Sequence, residues 1–246
     1  MNEVGSVARI AIAVSLLTAA CAAISLVTGG DPMLAPELAS AAFVAAWLVH
    51  AARAARRALA HSQRLSVRTR PASIGGTTVW IVPDSAPVAF VSGFLRPRIY
   101  LSRSLVDMLD DRELRGVVLH EGHHRATRAP LRSLVLEAWQ HTFKWLPPVR
   151  RALLARLAAL EIEADAAAVA AGVQPATLAS ALLKCDPDSQ PLVAASAFST
   201  AAEVRIGQLV AWGRAERPEF RRSLPLEWAA PAAAAVALLA CHVVGA

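Results

Sequence analysis

The stretch Ile10–Gly30 carries no charged residue, and its core, IAIAVSLLTAACAAISLV, is long enough at about 1.5 Å of rise per residue to cross a bilayer as a helix. Such a segment constrains the whole chain, because in lipid every backbone polar group has to be paired within the segment itself. The competing reading is a cleaved signal peptide, with TAAC ending in the cysteine of a lipoprotein site. The length of the run, the single preceding arginine, Arg9, and a second apolar stretch almost immediately afterwards favour a span that stays in place. That second stretch, Met33–Ala52, has Glu37 near one end, and a third, Trp228–Ala246, is uncharged and alanine-rich. Ala166–Leu183 is also uncharged, but Gly172, Gln174 and Pro175 interrupt it, and it is not read as a span. A mean hydropathy of +0.43 with 55% hydrophobic residues agrees with membrane segments rather than with an ordinary soluble domain.

Charge gives the orientation. Arg53, Arg56, Arg57, Arg64, Arg68 and Arg70 follow the second stretch, and Arg214, Arg217, Arg221 and Arg222 precede the third, whereas the intervening hairpin GGDPMLAPEL holds only acids. By the positive-inside rule the segment between the second and third stretches is cytoplasmic. The expected organisation is two transmembrane helices in residues 1–57, a cytoplasmic domain in 58–227 and a C-terminal transmembrane helix in 228–246, a multi-pass protein of the cell membrane with the lipid bilayer as a partner. The same basic flanks account for the net charge of +6, and no basic run is interleaved with aromatics, so direct nucleic-acid binding is not expected. Cys21, Cys185 and Cys241 lie far apart, which excludes a disulfide framework and a cysteine-based zinc site.

Within the cytoplasmic segment strands precede helices. TTVWIV, PVAFVSG and RPRIYLS are short, rich in β-branched or aromatic residues, and separated by turn formers. Asp110, with Glu113 three residues on, is a capping-box start, and DDRELRGVVLHEGHHRAT then reads as a helix. It contains His-Glu-x-x-His. One turn separates His120 from His124, so both imidazoles reach one metal ion while Glu121 projects beside them. Zinc suits such nitrogen donors, and a catalytic zinc requires a third protein ligand and a water, for which Glu121 is the general base. His123 occupies a non-ligand position. After Pro147 and Pro148, RRALLARLAALEIEADAAAVAAG reads as a long helix ending near Gly172, on which Glu161 and Asp165 share a face: one can bind metal while the other holds a histidine. Glu163 lies about 200° round the helix from Glu161, and Glu137 sits among apolar neighbours on the intervening segment. The bland alternative for these acids is balance against Arg156 and its neighbours on a solvated face.

The order of apolar stretches, AFVSGFLRPRIYLS, an HExxH helix and a Glu-x-x-Ala-Asp helix resembles the membrane-embedded zinc peptidases of the BlaR/MecR antibiotic-sensor type. It is similar, more distantly, to the HtpX and CAAX prenyl protease group. The likeness covers roughly residues 75–210. It implies a mainly α membrane protein with a small β-sheet, in which a gluzincin-like α+β zinc peptidase core lies between transmembrane helices. It further implies Zn2+ on His120, His124 and Glu161, with Glu121 catalytic and Asp165 orienting a histidine. AEVRIGQL looks like the Arg-Ile-x-x-Leu element of such peptidases, which makes Arg205 a candidate substrate or oxyanion residue.

The chain departs from that group in three places. Ala129 stands where BlaR-type receptors usually carry an acid, and neither a fourth span nor a penicillin-binding sensor is found in these 246 residues. The resemblance is therefore expected to extend to the protease core, acting on a protein or peptide substrate such as a BlaI-type repressor or another membrane-proximal protein. Such a substrate is expected to add as a strand beside VAFVSG, with His141 and Tyr100 as candidate oxyanion donors. The rival readings are a catalytically inactive signalling or scaffold protein that keeps the fold, against which the intact Glu121 counts, and a metal transporter, against which the lack of carboxylates inside the spans counts.

Overall fold

The computed structural model describes residues 34–66, 69–84, 86–143, 147–185 and 195–214. They form seven helices and one four-stranded sheet: α1 (Leu34–Ser66), β1 (Arg70–Ile74), β2 (Thr77–Val82), β3 (Ala89–Ser92), β4 (Arg98–Ser102), α2 (Arg103–Met108), α3 (Asp111–Ala126), α4 (Ala129–Thr142), α5 (Pro147–Ala170), α6 (Pro175–Lys184) and α7 (Ala195–Arg214). Two compact units divide the described residues. One holds α1 as far as Ala55 together with the described residues of Arg132–Arg156; the other holds those of Arg56–Leu131 and of Leu157–Arg214. In the first unit aromatic rings link α1 to α4: Trp47 lies 5.6 Å from Trp139, which stacks on Phe143 at 5.5 Å.

The second unit is built on the sheet, in the order β1-β2-β4-β3. β1 and β2 make an antiparallel hairpin across Gly75 and Gly76, whose φ values of 55° and 77° suit glycine and match the twist of a two-residue hairpin turn. β2 runs parallel to β4, and β3 pairs antiparallel with β4 at the sheet edge. Alternation sends Val79, Ile99 and Leu101 to one face, where they bury against Leu105, Leu109, Leu114 and Val118 from the helices that follow. On the other face Phe90 stacks on Tyr100 at 5.4 Å, and the Arg98 guanidinium lies 4.4 Å from the centre of the Trp80 ring. The hydroxyl of Ser102 accepts from the backbone N–H groups of Val88 and Leu105, so one side chain both holds the edge strand and caps α2.

α3 begins as its sequence requires. The Asp110 carboxylate accepts from the N–H groups of Arg112 and Glu113, and the Glu113 carboxylate accepts from the Asp110 N–H, a complete capping box. Glu113 also accepts from Ser180 at 2.6 Å and Lys184 at 2.7 Å, which ties the start of α3 to α6. Burial alone would raise the Glu113 carboxyl, but these hydrogen bonds outweigh it and hold its pKa down to about 2. One helical turn before His120, a Cβ on Gly116 would meet Leu178 at 3.1 Å and Val173 at 3.2 Å, so the missing side chain is what lets α3 lie close to α6. Ala168, Val169, Val173, Leu178 and Leu209 then close a second core among α5, α6 and α7.

The long helix expected after the proline pair starts at Pro147 itself, because proline is tolerated in the first turn, where its missing N–H has no partner to lose. It ends before Gly172, whose φ of 98° stops the helix and separates α5 from α6 inside Ala166–Leu183. β1 and α2 were not among the expected elements. Among the described residues no helix is long and apolar enough to cross a membrane. The expected spans Ile10–Gly30 and Trp228–Ala246 lie outside the described residues, as do the side chains of residues 34–43 within Met33–Ala52.

Candidate metal centre

α3 and α5 supply the site, and all of its residues belong to the second unit. Helical spacing brings His120 and His124 onto one buried face of α3, with their Nε2 atoms 3.1 Å apart. Glu161 faces them from α5: its Oε2 lies 3.5 Å from His120 Nε2 and its Oε1 3.3 Å from His124 Nε2. Four ligands at about 2.05 Å round a tetrahedral zinc stand about 3.3 Å from one another. The nearest contacts among the three side chains are close to that spacing, with each imidazole reaching a different oxygen of Glu161, and the two imidazoles and the carboxylate, whose ligand atoms lie within 4.8 Å of one another, can together hold a metal ion. The residues present therefore fit zinc. Glu161 keeps 26% of its side chain exposed, so the cluster is open to solvent on its side.

Asp165 is one turn further along α5 and almost fully buried, at 1% exposure. Its Oδ1 lies 2.8 Å from His120 Nδ1; with Nδ1–H as donor, this fixes the tautomer that leaves the Nε2 lone pair toward Glu161 and His124. Arg205, on α7, donates from Nε to Asp165 Oδ2 at 2.8 Å, from Nη2 to Oδ1 at 2.9 Å and from Nη1 to Glu161 Oε2 at 3.2 Å. Glu121 is buried beside the histidines at 7% exposure.

Burial and charge act against each other on each of these groups. Desolvation by itself would lower His120, yet Asp165 and Glu161 raise it to about 9, so metal binding at this site competes with a proton. Burial would raise Glu161 and Asp165, but the histidines and Arg205 hold both carboxyls below the ordinary range. Glu121 behaves differently: burial dominates, and its carboxyl is pushed up. A buried carboxyl whose pKa is raised above its ordinary value is better suited to take and return a proton.

His120, His124, Glu121, Glu161 and Asp165 are thus brought together. Arg205 joins them as a partner of the two acids of α5, with a bidentate hold on Asp165. The ring of His123 lies 6.3 Å from that of His124 and is not one of the clustered donors. Glu163 is likewise outside the donor cluster. Glu137 and His141 fall in the other unit. Tyr100 is buried, on the sheet face opposite the Leu114 and Val118 packing, because it alternates with Ile99 and Leu101. Two supporting residues, Ser180 and Lys184, have no local sequence signal, since they lie 67 and 71 positions from the Glu113 they hold.

Residues 55–152, less than half of the chain, match the model of peptidase family M48. The matched range contains the HExxH helix and stops before Glu161. No curated protein matches the chain, and no solved structure matches it. The family match, with a His/His/Glu group able to hold a metal, supports a metallopeptidase of the M48 kind.

Proposed function

We propose that the protein is a zinc-dependent endopeptidase whose site is His120, His124 and Glu161 as metal ligands with Glu121 as general base. The observation that carries this reading is the convergence of the three side chains, whose nearest contacts are 3.1 to 3.5 Å, with a buried glutamate next to them on the same helix turn. Zinc bound there would supply the Lewis acidity that lowers the pKa of a water and polarises a peptide carbonyl. Glu121 takes the proton from the attacking water and hands it to the departing amine, a double duty that suits a carboxyl raised by burial. Asp165 keeps His120 in its ligating tautomer, and the position of β3 at the end of the strand order suits the addition of an extended peptide as a further strand.

The substrate on this reading is a cytoplasmic or membrane-proximal protein, with a BlaI-type transcriptional repressor as the specific candidate suggested by the BlaR/MecR likeness. On this reading the protein lies in the cell membrane with the peptidase domain in the cytoplasm, which its three apolar stretches and their arginine flanks support. A reporter enzyme active only outside the cell should be silent when fused at Gln190 and active when fused after Ala246; the reverse result contradicts this topology. For the activity itself, purified full-length protein should cleave an unfolded protein substrate, lose that activity to a chelator and recover it with zinc. Hydrolysis indifferent to the chelator, or no hydrolysis by zinc-loaded protein, contradicts the assignment and favours a scaffold that retains only the fold.

A further inference from the structure

We propose that Arg205 is a positioning residue of the metal centre: by holding Oε2 of Glu161 and both oxygens of Asp165, it leaves Oε1 as the single Glu161 oxygen free to bind the metal. The inference rests on the metallopeptidase reading above and adds to it. The guanidinium is buried, at 8% exposure, and its planar fork is used on two acids one helical turn apart on α5. Nε and Nη2 engage the two oxygens of Asp165 side by side, at 2.8 and 2.9 Å, a bidentate arrangement that fixes the plane of that carboxylate. Nη1 then reaches Glu161 Oε2 at 3.2 Å.

The two oxygens of Glu161 are otherwise close to equivalent, since Oε2 lies 3.5 Å from His120 Nε2 and Oε1 3.3 Å from His124 Nε2. A glutamate with neither oxygen held could offer either one, or both. With Oε2 held by Arg205, Oε1 is the oxygen left free to donate, and a position stays open for water. Charge points the same way. Glu121, Glu161 and Asp165 bring three carboxylates to one place, and the charges of Arg205 and a divalent cation together balance them. Arg205 sits on α7, whereas the ligands sit on α3 and α5, so the hold also ties a third helix to the centre. A salt bridge of purely structural value would be felt in folding stability and not in the metal.

The test uses purified full-length protein whose fold is checked by circular dichroism, with zinc affinity from chelator competition and the visible absorption of the cobalt-substituted protein as a readout of coordination. Arg205→Gln should bind zinc about 10-fold to 100-fold more weakly, and its cobalt bands should lose intensity as Glu161 becomes free to use both oxygens and coordination number rises. Arg205→Lys, which keeps the charge without the fork, should recover part of the affinity but not the wild-type cobalt spectrum. A folded Arg205→Gln with wild-type zinc affinity and an unchanged cobalt spectrum overturns the proposal alone. If that variant does not fold, a wild-type cobalt spectrum in Arg205→Lys overturns it equally. Wild-type protein that binds no zinc overturns the metal-site reading itself.

Discussion

Replacing Asp165 with asparagine preserves the shape of the side chain and removes one acceptor. Both carboxylate oxygens are in use: Oδ1 faces His120 Nδ1 at 2.8 Å and Arg205 Nη2 at 2.9 Å, and Oδ2 accepts from Arg205 Nε at 2.8 Å. An amide has a single oxygen. In one orientation its NH2 meets Arg205 Nε; in the other it meets both His120 Nδ1–H and Nη2. Either way a buried, charged donor faces another donor, at a position only 1% exposed and with little room for water to intervene. Breaking one side of a buried ion pair costs about 3–5 kcal/mol, and since the amide keeps one of the contacts, about 3 kcal/mol of folding stability should be lost. His120 also loses the anion that orients it, which should weaken zinc by about 10-fold to 100-fold. Urea unfolding of metal-free full-length protein, followed by circular dichroism, and zinc competition against a chromophoric chelator measure the two effects. An unfolding free energy within about 1 kcal/mol of wild type, together with unchanged zinc affinity, would refute the role given to Asp165.

Glu161→Ala should abolish stoichiometric zinc binding, while Glu163→Ala, on another face of α5 and outside the donor cluster, should change it little; metal content by atomic absorption separates the two, and the opposite pattern would mean a different helix register. Acid stability should follow Glu113, whose pKa is held at about 2 against an ordinary 4.5. A depressed carboxyl stabilises the fold above pH 4.5 and loses that contribution as pH falls from 4.5 toward 2. Glu113→Gln should therefore be less stable than wild type at pH 7 by about 2 kcal/mol, allowing for the exposed Lys184, and the gap should close over that acid range; a gap independent of pH would show that the Glu113 charge is not its source.

Much of the site was legible because helical periodicity needs no tertiary information. The spacing of His120 and His124, and the Asp110–Glu113 capping box that starts their helix, are local properties, and the structure has that helix at Asp111–Ala126. β2, β3 and β4 were readable for a similar reason, as short β-branched runs between turn formers. β1 also has a local signal, since Gly75-Gly76 between Ser73-Ile74 and Thr77-Thr78 suits a two-residue hairpin turn, but its own residues, RPASI, lack a β-branched or aromatic run. The order of the sheet was not readable, since the parallel pairing of β2 with β4 depends on a crossover that no local pattern specifies. Sequence register placed Glu161 and Asp165 on one face, but only the fold-back of α5 over α3 determines that Glu161 faces the two Nε2 atoms while Asp165 meets Nδ1. Arg205 drew attention through resemblance alone. Its partners lie 40 and 44 residues earlier, too far along the chain for local spacing to reveal that it holds both acids of α5.

The central claim is that one glutamate does the proton chemistry beside a metal it does not bind. Glu121→Gln tests it most directly, with zinc content and cleavage of an unfolded protein substrate measured on the same preparation. The variant should retain one zinc per chain, because His120, His124 and Glu161 are untouched, and its hydrolysis should fall to the uncatalysed background, because no base remains to take the proton of the attacking water. Glu121→Gln protein that still cleaves the substrate at a rate near wild type would contradict the account.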